Sequence, residues 1–172
     1  MLGITPFGML HTLISLVSLF AGLYALARWK EIRWSRPSGK LFVPFTAASC
    51  ITGLFIFRHG GFNEAHVLSI VTLVVLAAAW FAERGAAIGS LRERTAVLAW
   101  TLVLFFHFIP GFNETLVRLP VGHPVISGPD DPFLQMLVGG TFAVFLVIMA
   151  LQWLRLRRTA SGATLPVHGG VR

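Results

Sequence analysis

The chain has 172 residues, of which 55% are hydrophobic and only 12% charged. A soluble domain carries about 25% charged residues, so this balance and a mean hydropathy of +0.76 exclude a water-soluble globular protein and point to one membrane domain. The net charge of +7 is no nucleic-acid signature, and no nucleic acid is expected as a partner, because the basic residues stand in short groups between apolar runs.

A helix crossing about 30 Å of hydrocarbon needs roughly 20 apolar residues. Five stretches qualify or nearly so, at about 7–29, 41–58, 65–82, 95–112 and 133–154. Continuous apolar runs exclude alternating barrel strands, and lipid offers backbone groups no partner outside a helix. The expected fold is therefore an all-α integral membrane protein, a bundle of about five transmembrane helices.

The N-terminal "MLGITPFGML" has no basic leader and is not read as a cleaved signal peptide. The first span, "HTLISLVSLFAGLYAL", runs into a basic turn, "RWSRPSG". The second holds Cys50, the only cysteine, read as a small packing residue. Next comes "RHGGFNEAH", residues 58–66, whose Gly-Phe-Asn-Glu recurs at 111–114 in "IPGFNETL". Glycine ends a helix by accepting positive φ, asparagine is a good N-cap, and glutamate suits the positive first turn. Both copies are thus expected to stop one helix and start the next, the second opening a short surface helix, "ETLVRL", ended by Pro120. The fourth span is the weakest, since His107 and Pro110 interrupt it. "SGPDDPF" precedes the fifth, where Asp130 and Asp131 keep the loop wet. Residues 1–158 form the bundle and 159–172 a flexible cytoplasmic tail.

Twelve of the fourteen Lys and Arg follow the first, third or fifth span. The positive-inside rule then places the N-terminus outside and the C-terminus in the cytoplasm, here of a bacterial inner membrane. Each span has two small residues four apart: Ser18 and Gly22, Ser49 and Gly53, Ala78 and Ala82, Thr95 and Ala99, Gly139 and Ala143. Such pairs let helices approach closely in lipid. The tryptophans gather toward the inner ends as interfacial anchors. The inner half of the spans is otherwise almost bare of polar groups beyond Ser and Thr.

Five of the six histidines fall in the outer half or beyond it. His59 and His123 read as interfacial. His11, His66 and His107 come from three different spans at one depth and can converge. Ionisable groups inside a membrane often mark sites. Two imidazoles on facing helices can be axial ligands of haem b. Glu64 and His66, with His11 or His107, can hold zinc or another divalent metal, although a spacing of two puts Glu64 and His66 on different helix faces. A His and a Glu can also move protons for a quinone.

Residues 8–120 resemble a bacterial family of polytopic membrane proteins, the domain-of-unknown-function family 2306. The features are the early His11 in span one, the Gly-bearing basic turn "RPSGKLFV", the Gly-Phe turn closed by His66, and Trp100 before "VRLP". The family often carries further histidines before spans two and four, where this chain reads "RWSRPSG" and "SLRERTAVLAW". The resemblance implies architecture rather than activity. The leading functional expectation is a redox or cofactor-binding membrane subunit, with haem, a metal or a quinone near the outer face and other redox subunits as partners. A small-solute transporter and a ligand-free assembly subunit are the alternatives.

Overall fold

A computed structural model describes residues 5–57 and 61–162 of the chain. They form five helices: α1 (Pro6–Trp29), α2 (Pro37–Gly53), α3 (Glu64–Glu83), α4 (Leu91–Leu116) and α5 (Pro132–Gly162). Among the described residues there is no strand. Four helices, α1, α3, α4 and α5, are long and apolar enough to cross a membrane. The second expected span, 41–58, is shorter and shifted: α2 has 17 residues, about 26 Å at ~1.5 Å each. It starts early because Pro37 suits the first helical position. It ends at Gly53, and residues 54–57 turn away.

Local chemistry sets most helix starts. The Thr5 hydroxyl accepts from the Gly8 N–H at 3.0 Å and Pro6 opens α1. Ser90 caps α4, accepting from the Glu93 N–H at 3.1 Å. Asp131, expected only to wet its loop, accepts from the Phe133 N–H at 2.9 Å at the head of α5. The first Gly-Phe-Asn-Glu behaves as expected: Gly61 has φ +116°, and the Asn63 side chain accepts from the Ala65 N–H at 3.0 Å.

The second copy does not. Gly111, Phe112, Asn113 and Glu114 lie inside α4, which runs unbroken through Pro110 to Leu116, so no helix stops or starts there. Proline costs one backbone hydrogen bond. Leaving the helix at membrane depth would strip several, so continuation wins. α5 also runs further than expected, to Gly162, into the segment read as tail; the rest of that tail, with His168, lies outside the described residues.

The chain makes two close hairpins, α1 on α2 and α3 on α4, with α5 packed mainly against α4. Along α1, positions 11, 15, 18 and 22 share one face, meeting 42, 46, 49 and 53 of α2. Hydroxyls pair across that seam: Ser15 with Ser49 at 2.6 Å, and Ser18 with Thr46. Gly22 lets the hairpins close, since a Cβ there would stand 2.7 Å from Leu104 and 2.9 Å from the Phe42 ring. Around it Phe42, Trp100, Val103 and Leu104 have no exposed surface. Only some of the small-residue pairs pack this way. Ala78, Thr95, Gly139 and Ala143 are exposed, because spacing alone does not say which face meets a neighbour.

One end of the bundle carries the α1–α2 and α3–α4 connections and the far end of α5. It is basic, and it is also tied by buried polar groups. Both carboxylate oxygens of Glu83 are used: one accepts from the Trp34 N–H at 2.9 Å and Trp100 Nε1 at 2.7 Å, the other from the Ser35 N–H at 3.2 Å. Gln152 of α5 accepts from the Thr101 hydroxyl at 3.0 Å and donates to the Lys30 carbonyl at 2.9 Å. The expectation of an inner half nearly free of such groups is therefore corrected. Trp100 is a core residue rather than an interfacial anchor, whereas Trp29, Trp80 and Trp153 each lie under an arginine.

Candidate functional site: a cavity at the histidine end

Beyond Gly22 the two hairpins separate toward the opposite end. A cavity of about 440 Å³ opens between α1, α2, α3 and α4. Its walls are mostly apolar, with Leu16, Leu19, Leu68 and Phe106 among them. Its polar groups include His11, Ser15, Ser49, His107 and, at the rim, Glu114 and Arg118. Glu114 and Arg118 pair one helical turn apart, Arg118 Nε donating at 2.9 Å. Cys50 also lines the space.

The expected histidines do not all meet here. His11 and His107 line the one cavity. His66 does not: it is the fourth member of the α3 cap, its Nδ1 2.9 Å from Asn63 Oδ1, and its ring lies between Phe57 and Phe62 at 4.9 and 5.2 Å. It is 2% exposed. Glu64 beside it is exposed and faces elsewhere. His123 sits on the surface of the α4–α5 connection, and His59 lies outside the described residues.

The two cavity histidines have their tautomers set by their partners. His107 Nδ1 is 3.0 Å from the Val103 carbonyl, which only accepts, so Nδ1 carries the proton. Thr52 spends its single hydroxyl proton on the carbonyls of Ala48 and Ser49. His11 Nδ1, 2.9 Å from Thr52 Oγ1, must therefore be the donor to it. In each neutral ring Nε2 is left as an acceptor. That of His107 has only a long contact, 3.4 Å, with the Thr46 hydroxyl.

This chemistry bears on each ligand expected from sequence. Among the described residues, no group of three or more His, Cys, Asp or Glu side chains converges, so the ligand set a zinc site takes is not assembled here. Bis-histidine haem fits poorly. The flat macrocycle needs the space in front of both Nε2 atoms, and the Thr46 hydroxyl already stands before one of them. A small hydroxyl can share that position.

Sequence reasoning singles out His11 and His107 but passes over Ser15 and Ser49 as cavity residues. The signal is present: 11, 15 and 18 follow helical spacing, as do 46, 49 and 53. The same spacing also describes a plain helix-packing seam, and nothing local separates the two.

The fold and cavity together define an all-helical membrane bundle with a ligand-sized recess at its histidine end. No protein family, no curated protein and no solved structure matches this chain.

Proposed function

We propose that this protein binds an amphipathic small molecule of the quinol class in the cavity at its histidine end. The observation that carries the reading is the pair of imidazoles, His11 and His107, in one apolar-walled cavity with their Nδ1 protons committed to the protein. Such a site wants a neutral head that donates hydrogen bonds and an apolar body. Phosphate or carboxylate heads are disfavoured, because the single cation in the cavity lining among the described residues, Arg118, is paired with Glu114. A through-channel is disfavoured too. The closed layer of Phe42, Trp100, Val103 and Leu104 lies beneath the cavity. The protein belongs, on this reading, to a bacterial inner membrane, with the basic end in the cytoplasm and the cavity at the outer face, as a subunit serving membrane redox partners.

The test is direct binding. Anaerobic equilibrium dialysis of the purified protein in detergent against a short-tailed hydroquinone should show saturable binding of one molecule per chain. His11→Leu should weaken that binding about fivefold, the worth of one hydrogen bond near 1 kcal/mol. An absence of saturable binding would end the proposal, as would a Soret band in the purified protein.

A further inference from the structure

The opposite end of the bundle holds a second, open cleft of about 550 Å³, lined among others by Glu31, Arg33, Ser35, Arg36, Glu93 and Arg155. We propose that this cleft binds a phosphate group between Arg36 of the α1–α2 connection and Arg155 of α5.

The two carboxylates in the lining do not oppose an anion, because their oxygens are already used. Arg33 donates to both oxygens of Glu31, at 2.7 and 3.3 Å, and to Glu93 at 2.7 Å. The remaining Glu93 oxygen accepts from the Gly89 N–H. Half-burial works against the Arg33 cation, but the two carboxylates outweigh it and hold its pKa above the ordinary arginine value. Arg33 is thus the permanent counter-ion of that pair. Arg36 and Arg155 are left as the uncompensated charge, and among the described residues neither pairs with a carboxylate.

Trp29 holds both in place. The Arg36 guanidinium lies 4.3 Å over its ring, and Arg155 Nη1 donates to its carbonyl at 3.1 Å. Two guanidinium forks from separate segments are therefore fixed on one cleft before any anion arrives. The Ser35 hydroxyl is a further donor in the same lining. Guanidinium geometry suits phosphate oxygens, and basic pockets between helices at the cytoplasmic face suit phospholipid headgroups. The phosphate can come from such a headgroup or from free phosphate.

Full-length protein in zwitterionic detergent can separate these sources by thermal unfolding at fixed ionic strength. One arm adds phosphatidylglycerol, one phosphatidylcholine, and one inorganic phosphate. Phosphatidylglycerol should raise the melting temperature by several degrees over phosphatidylcholine. At least half of the gain should vanish in Arg36→Gln with Arg155→Gln, and all of it should survive in Arg84→Gln, a basic residue outside the cleft. The same gain from inorganic phosphate would assign a soluble phosphate instead of a lipid. An undiminished gain in the double variant, or no gain from either phosphate source, overturns the proposal. Should that variant not fold, native mass spectrometry of the unaltered protein decides: one retained phosphatidylglycerol or phosphate supports the site, and none retained refutes it. The His11→Leu protein should keep this binding, so failure here is separable from failure of the cavity reading.

Discussion

Gly39 and Gly139 are both helical glycines, and only one is indispensable. A Cβ on Gly39 would stand 1.8 Å from the Arg33 carbonyl oxygen, a backbone atom that cannot rotate away. Gly39→Ala should therefore cost about 3 kcal/mol, the upper range of overpacking, seen as a lowered unfolding midpoint in detergent. Gly139 has nothing within 4 Å of that position, and Gly139→Ala should leave the midpoint nearly unchanged. The sequence does not separate the two, because no local pattern reports what another segment presses against. The histidines teach the same lesson. Their common depth is legible from helical rise, and so is the chance for some of them to meet. That His66 turns into its own cap is legible only in part, from Asn63 three residues before it. The stacking of Phe57 and Phe62 on its ring needs the tertiary structure.

At the scale of the element, the repeated Gly-Phe-Asn-Glu shows identical letters in two conformations. Asn63 caps α3, so Asn63→Ala should cost about 1 kcal/mol. Asn113 lies inside α4 with its Oδ1 buried and, among the described residues, without a partner, so Asn113→Ala should be neutral or slightly stabilising. Chemical unfolding of both variants in detergent checks the contrast; equal losses would mean that the second copy is a cap after all. The choice between the two conformations is made by the flanking chain. After Asn63 a new helix must begin, whereas Pro110 and Gly111 sit in a helix whose interruption would strand backbone groups. Glu83 is the other decisive residue at this scale. Its three N–H donors join the α1–α2 connection to α3 and α4. Glu83→Gln keeps one acceptor oxygen and should cost on the order of 2 kcal/mol. A red-shifted emission from Trp100 would accompany it. A position just past an apolar run looks like a solvated end in sequence, which hides this role.

For the whole molecule, hydropathy makes the helical bundle and its number of segments readable, and arginine placement marks two unlike ends. The proposed orientation has a direct consequence for labelling. In a Cys50→Ala background, His123→Cys should react with an impermeant maleimide on intact cells. Ile88→Cys, in the α3–α4 connection, should react only after permeabilisation. The reverse pattern would invert the assignment. What composition does not convey is where the bundle closes and where it gapes, since that depends on Gly22, Leu104 and the Phe42 ring meeting at one point.

That meeting point limits what the recess over it can accomplish. A guest admitted near Glu114 and Arg118 finds no exit beyond His107 and must retrace its route to leave. Occupancy there follows the guest's concentration on one side alone. On the proposed reading, such a dead-ended recess suits holding a visitor or exchanging a proton with it, and carrying it across would fall to another machine.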